Sequence, residues 1–313
     1  MEQELSNCPS ADGTFLSSTF PNTHSLAAIK LKMVKQIISY LILVVLIITS
    51  CNNSNRQVNT LQKNGVPDSI LNDNSIYNIN QDTIKYDNSI FPVDSFFSIK
   101  VLTVGNFHSD EVWKNANKEK WLGLFRNKTG FYVAESKLII NRVHDEIVDD
   151  NELDKTGWEI KTFNDDTCLI LMSPNPFVKE KAIEHLILPK NQVYPGDTVT
   201  FQFLGLEYKL FATGGKKKAQ EDPSAFEVWN YKLYLTTTIK GQQHKSLLVA
   251  QPNFEEQMIT IIFSGDIDGD GILDLIIDTS RHYDAESPTI YLSKPANSED
   301  VVKPVGGHTT VGC

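Results

Sequence analysis

From Phe96 onward apolar and polar residues alternate with a period of two, a pattern that leaves little room for anything but β-sheet. Val199, Phe201 and Phe203 alternate with Thr198, Thr200 and Gln202, just behind the turn formers Pro195-Gly196-Asp197. Tyr208, Leu210 and Ala212 keep the period after Gly205, and Trp229, Tyr231, Leu233 and Leu235 alternate with Asn230, Lys232 and Tyr234. β-Branched and aromatic side chains on every second position suit a pleated surface with one covered face and one wet face. In the run Met258-Ile259-Thr260-Ile261-Ile262-Phe263 both faces are expected to be buried. Shorter runs at 98–104, 137–141, 157–163, 168–172, 185–188, 246–250, 273–278 and 289–292 bring the set to about a dozen strands. Helical patterns are confined to 110–121 and 177–184. Connections are too short for repeated crossover helices, so antiparallel pairing is expected. The predicted fold is mainly β, an antiparallel sandwich or barrel-like arrangement with few short helices. It occupies residues 96–313, with room for two lobes divided near 188–196. The lysine-rich stretch 214–224 reads as a solvated tip between two strands.

Composition removes several classes of function. The 313 residues carry 29 basic and 39 acidic side chains, a net charge of −10, whereas a nucleic-acid partner calls for a cationic face. Four cysteines without a CxxC pair exclude zinc-ribbon and thioredoxin-like chemistry. No GxGxxG or GxxxxGK[ST] stretch supports nucleotide binding. Neither Ser246 nor Ser264 sits in a GxSxG elbow, and HExxH spacing is absent. The run His144-Asp145-Glu146 with Asp149, Asp150, Glu152 and Asp154 reads as a solvated connection, and His282 as a loop histidine.

Residues 33–50 describe a destination. Met33-Val34-Lys35 precedes an uncharged, largely aliphatic stretch from Ile37 to Ile48, followed by Thr49-Ser50-Cys51. A cationic start, a short apolar core and small residues before a cut site are the features of a secretory signal peptide. The apolar core is shorter than the ~20 residues needed to span a bilayer. The residues ending in Cys51 resemble a bacterial lipobox, which implies acylation of Cys51 and attachment to a membrane through lipid. Residues 1–32 read as an upstream over-call of the start. Positions 51–95, rich in Asn, Ser and Asp and without periodicity, read as a disordered spacer between lipid and domain. Cys168 and Cys313 are then left as a possible disulfide in an oxidising compartment.

The densest chemistry lies at Asp266-Ile267-Asp268-Gly269-Asp270-Gly271-Ile272-Leu273-Asp274. Counting from Asp266, carboxylates stand at positions 1, 3, 5 and 9, with glycine at 4 and 6. Such a crowd repels itself unless a cation is present. Calcium takes about 6–8 oxygens at about 2.3–2.6 Å, which a loop supplies by curling around the ion. Asp266, Asp268, Asp270, Asp274 and the carbonyl of Ile272 are the expected ligands. Zinc is disfavoured by the absence of His and Cys from the loop, and magnesium by its demand for octahedral geometry and retained water.

The loop shares its early positions with an EF-hand, but Ile277 stands where that family closes with an acidic residue, and strands rather than helices flank it. Strand, Asp-x-Asp-Gly-Asp-Gly-x-x-Asp-Leu, strand resembles the calcium loop of FG-GAP or VCBS-type repeats over residues 261–292. That resemblance implies a mainly structural calcium ion supporting a binding surface. A single copy argues against a propeller. Together the sequence predicts a lipid-anchored, calcium-binding protein of the bacterial cell envelope, facing the periplasm or the exterior, with a glycan, protein or wall component as ligand. An extracytoplasmic hydrolase is the alternative. An aromatic platform built from Trp113, Trp121, Trp158 or Trp229 would favour the binder.

Overall fold

The computed structural model describes residues 84–312 apart from positions 109, 152, 221 and 223. The leader, Cys51, most of the spacer and Cys313 lie outside the described residues. Every strand pairing is antiparallel. Among the described residues the sheets are open: none closes into a barrel or a propeller. A long-stranded sheet is the meander Thr198–Phe203, Leu206–Lys218, Phe226–Ile239 and Gln242–Asn253. Two of its turns, Leu204-Gly205 and Lys240-Gly241, have two residues each, all four with positive φ, the geometry that matches strand twist. A second, loop-bearing sheet orders Thr260–Gly265, Asp274–Asp278, Pro288–Leu292 and Lys303–Gly307. A five-stranded sheet orders Val101–Leu102, Thr167–Met172, Trp121–Asn127, Gly130–Ser136 and Lys181–Ile183. A three-stranded sheet contains Gly105–Phe107, Gly157–Thr162 and Leu138–Val143.

Three apolar cores join these sheets as successive layers. Tyr208, Leu210, Tyr231 and Leu233 of the long-stranded sheet pack with Leu275, Ile277 and Tyr291 of the loop-bearing sheet. The opposite face of that sheet sends Ile276, Ile290 and Leu292 into a second core with Leu124, Val133, Ile170 and Met172 of the five-stranded sheet. Trp121 and Leu171, on the far face of the five-stranded sheet, meet Phe107, Leu138 and Ile160 of the three-stranded sheet. Neighbouring side chains on a strand point to opposite faces, so Leu275, Ile276 and Ile277 enter alternate cores. This is why Leu273-Asp274-Leu275-Ile276-Ile277 is almost wholly apolar: both faces of its sheet are covered.

Several expectations give way to this packing. Among the described residues the second core draws on both sides of 188–196, with Leu124 and Ile170 packing against Ile276 and Ile290. Positions 110–121 hold only a 3-10 turn, Ala116–Lys118, since Trp121 begins a strand and buries its ring, its Nε1 donating to the Ala116 carbonyl at 2.8 Å. Positions 177–184 contain the edge strand Lys181–Ile183, paired to 131–133, so sheet pairing overrides local helical preference. Ile262 is 44% exposed rather than buried. A register shift pairs Ile261 with Ile277 but Phe263 with Ile276, so a bulge at Ile262 turns Phe263 from the first core into the second. The lysine-rich stretch is strand as far as Lys218, which pairs with Phe226. The end of the supposed spacer is also ordered: Asp87 N donates to Asn230 Oδ1 at 2.7 Å, and Phe91 bridges Ala250.

Because the loop-bearing sheet is shared by two cores, Leu275→Ala and Ile276→Ala should each cost about 2–5 kcal/mol, from lost burial and residual cavity. Urea unfolding followed by tryptophan fluorescence and far-UV circular dichroism should show one coincident transition in both variants. Two separated transitions would mean that the layers unfold independently.

Candidate metal centre

The loop at 266–273 joins two neighbouring strands of the loop-bearing sheet, with Gly265 and Asp274 as the last register pair. It has an apolar foot in each core. Ile267 is fully buried in the second core, and Leu273 is fully buried in the first, where its N–H donates to the Tyr208 hydroxyl at 3.1 Å. Asp266 N donates to the Glu184 carbonyl at 2.9 Å, tying the loop to the segment that follows the edge strand. Gly269 and Gly271 both stand at φ +83°, the left-handed region that lets the chain curl tightly.

That curl brings Asp266, Asp268 and Asp274 together, each offering a carboxylate oxygen within 4.8 Å of the other two. They are 7%, 4% and 0% exposed. Main-chain donors fix them. Asp266 Oδ1 accepts from Gly269 N at 2.7 Å and Asp270 N at 3.0 Å. Asp274 Oδ2 accepts from Asp268 N at 2.9 Å and its Oδ1 from Ser293 N at 2.8 Å. Asp268 Oδ2 accepts from Lys294 N at 2.9 Å, and the Ser293 hydroxyl lies 3.3 Å from the same oxygen. The wall opposite the loop is therefore Ser293-Lys294, at the end of strand Pro288–Leu292. Two ammonium groups flank the cluster: Lys181 Nζ is 3.5 Å from Asp266 Oδ2, and Lys294 Nζ donates to the Asp268 carbonyl.

Burial and crowding perturb the carboxyl groups. Burial, and then the neighbouring Asp268, push Asp274 well above the usual carboxylate range. Burial pushes Asp268 up to about 6, with the Asp270 charge adding to it against the lowering contact of Lys294. The donor set is oxygen alone, which suits a hard divalent ion and not zinc.

Of the four expected carboxylate ligands, Asp270 stands apart. Asp270 is exposed and is not part of the converging group; its Oδ1 accepts from Ile272 N at 2.8 Å. Ile272 rests its half-buried side chain against the first core. Cys168 is a free, half-buried thiol whose pKa burial pushes up to about 12. Pairing with Cys313 falls outside the described residues.

The remaining sequence candidates have mostly structural work. Ser246 Oγ accepts from Val301 N and Val302 N at 2.8 and 3.0 Å, and Ser264 Oγ donates to the Leu186 carbonyl at 2.6 Å. Trp121 is buried, Trp113 packs on it at 5.6 Å, and Trp158 lies under the Arg142 guanidinium, so these three form no flat platform. The acidic connection after Val143 is not simply solvated. Asp145 is 6% exposed and its Oδ2 lies 2.7 Å from His108 Nδ1 beside an open cleft of about 670 Å³. The Asp145 hydrogen bond raises the His108 pKa above its ordinary value. Sequence reasoning passes over His108 because the partners are 37 residues apart and neither lies in a motif. His282 makes a surface pair with Glu255 at 3.2 Å.

No protein-family profile, curated protein or solved structure matches this chain.

The raised carboxyl groups set a pH dependence. In the metal-free protein Asp268 and Asp274 hold protons more tightly than in the unfolded chain. Their contribution to stability is thus fully present below the ordinary carboxylate range and is lost as pH rises toward about 6. A bound cation requires the ionised forms, so its affinity must rise with pH over the same window. Calcium titration by calorimetry should show roughly tenfold weaker binding at pH 5 than at pH 7.5 from Asp268 alone, with proton release on binding. Equal affinities at the two values would show that the cluster is already ionised at pH 5.

Proposed function

We propose that this protein is a calcium-braced β domain held on the bacterial cell envelope by an N-terminal lipid, where it acts as a binding or structural module. The observation that carries the calcium reading is the convergence of Asp266, Asp268 and Asp274 in a glycine-curled loop between two strands. Three buried carboxylates from one loop, each held by main-chain N–H groups, supply up to six oxygens, and calcium accepts about 6–8. Asp270 and the Ile272 carbonyl, the further ligands expected from the loop spacing, are the candidates to complete the shell. The pattern's resemblance to FG-GAP or VCBS-type loops agrees with a bracing role. The lipid tether rests on Met33–Cys51, and an extracytoplasmic address supplies the high calcium level that such a site needs. Glycan, protein or wall component remains the ligand class in this reading, with no part for nucleic acid.

A hydrolase is the second reading, favoured by the His108–Asp145 pair, in which a buried carboxylate orients an imidazole at the edge of a cleft. Loss of any turnover of generic ester or phosphoester substrates in His108→Gln would support it; inactivity of the wild-type chain toward them leaves the binding module.

Because a ligand that binds only the folded state stabilises by about 2.7 kcal/mol at a hundred times its Kd, calcium added after chelation should raise Tm by several degrees. Asp268→Asn retains an acceptor for Lys294 N and removes the charge, so it should abolish the calcium shift while leaving the chelated Tm near wild type. Asp270→Ala should retain most of the shift. A calcium-independent Tm in the wild-type chain would overturn the calcium reading. An unaltered shift in Asp268→Asn would move the ion elsewhere.

A further inference from the structure

The geometry points to Lys181 as a tethered counter-ion that competes with the divalent cation for Asp266 and thereby sets how much cation is needed to fill the site. The inference rests on the cation reading above. Lys181 does not belong to the acidic loop. It comes from the edge strand of the five-stranded sheet, where it pairs with Val133, and its ammonium reaches across to within 3.5 Å of Asp266 Oδ2. The side chain lies directly on the loop: a Cβ built on Gly269 would fall 2.7 Å from Lys181 Nζ. A side chain at 269 would displace this flexible ammonium, and the φ of +83° favours glycine there independently. The acidic side chain is the more deeply placed partner, at 11% exposure against 30% for Lys181.

The two lysines at the site differ in what they touch. Lys294 Nζ donates to main-chain oxygens, those of Asp268 and Phe177, so it holds backbone in place. Lys181 lies 3.5 Å from a carboxylate oxygen of Asp266, one of the three converging side chains. A positive charge held there helps the metal-free protein by neutralising part of the carboxylate crowd. It opposes a second cation by the same Coulomb term. Lys181 must then give up Asp266 for the ion to be fully coordinated. Removing the ammonium should have opposite effects on the two states: weaker folding without metal and tighter binding with it. A lysine that merely decorates the surface would do neither.

The consequence is a site tuned toward weak binding, in the range of about 10⁻⁴–10⁻³ M that is typical of extracellular calcium modules. It would fill outside the cytoplasm and stay free of calcium during synthesis. Lys181 also sits at a junction. The residues that follow it connect sheets, with Asp266 N donating to the Glu184 carbonyl, His185 bridging Gly265 and Leu186 N donating to the Ser264 carbonyl. Release of the ammonium on filling is thus felt first by a segment shared by the loop-bearing and five-stranded sheets.

The test is calcium chloride titration of the full chain by calorimetry after chelation, with Tm measured in chelator and in calcium, for wild type, Lys181→Met and Lys181→Arg. Lys181→Met should bind calcium about tenfold more tightly and melt at a lower temperature in chelator, with the affinity gain shrinking in about 1 M salt, where the Debye length falls to about 3 Å. Lys181→Arg keeps the charge and should stay close to wild type in both measurements. Equal or weaker calcium binding by Lys181→Met, alongside measurable binding by wild type, overturns the role of Lys181 and leaves the cation site standing. Absence of calcium binding in all three chains overturns the cation reading and this inference with it.

Discussion

The structure depends on one sheet being covered on both faces. Strand Asp274–Asp278 sends Leu275 and Ile277 into one core and Ile276 into another, and its first residue, Asp274, is sealed at the same depth. A carboxylate carried into such a place by its strand neighbours loses its hydration whether or not a partner is waiting. Two main-chain N–H groups, from Asp268 and Ser293, recover part of that loss, and neither supplies a full positive charge. The site is thus a consequence of the layering. The cores fix Ile267 and Leu273, those two residues fix the ends of the loop, and the loop then has little choice but to hold its aspartates together.

The same layering explains what the sequence could and could not convey. Strand content was legible because period-two alternation survives wherever one face is wet, as along Thr198–Phe203 with its alternating buried and exposed positions. The loop was legible because glycine spacing and carboxylate spacing are both local. The order of the sheets was not, since an all-apolar run such as Leu275-Ile276-Ile277 states that both faces are covered and says nothing about what covers them. The hairpin of Trp121–Asn127 and Gly130–Ser136 carries no such pattern. Its first strand is buried on nearly every residue, so it has no alternation to read, and its signal was the Asn127-Lys128-Thr129-Gly130 turn. Ile262 was misjudged because a bulge is one extra residue, and nothing in an aliphatic run marks which residue it is.

Within the site, the division between local and long-range information is sharper still. Position counting treated the four aspartates as equals, but burial separates them: Asp274 is inside because its strand is inside, whereas Asp270 lies on the rim. The wall made by Ser293-Lys294 comes from a neighbouring strand, and Lys181 comes from another sheet, more than eighty residues away in sequence. Local spacing locates the acidic loop. The counter-charges beside it are supplied by tertiary contacts, and no motif records them.

A cation at this point would act on more than its own loop. Asp266, Asp268 and Asp274 belong to the loop-bearing sheet, Ser293 and Lys294 follow a second of its strands, and the Glu184 carbonyl that receives Asp266 N belongs to the segment leaving the five-stranded sheet. Three chain segments with no covalent neighbour in common therefore meet within one small volume, where ordinary packing is weakest because the groups are polar. Hydrogen bonds there are individually modest, about 0.5–1.5 kcal/mol net. An ion that bonds several of these oxygens at once would convert a loosely balanced polar corner into a fixed vertex. Rigidity gained at the edge of a stacked β structure is transmitted along strands rather than absorbed by them, because the close-packed cores on either side have little room to adjust. That is the physical sense in which a cation held by these carboxylates would brace a surface that the loop does not itself form.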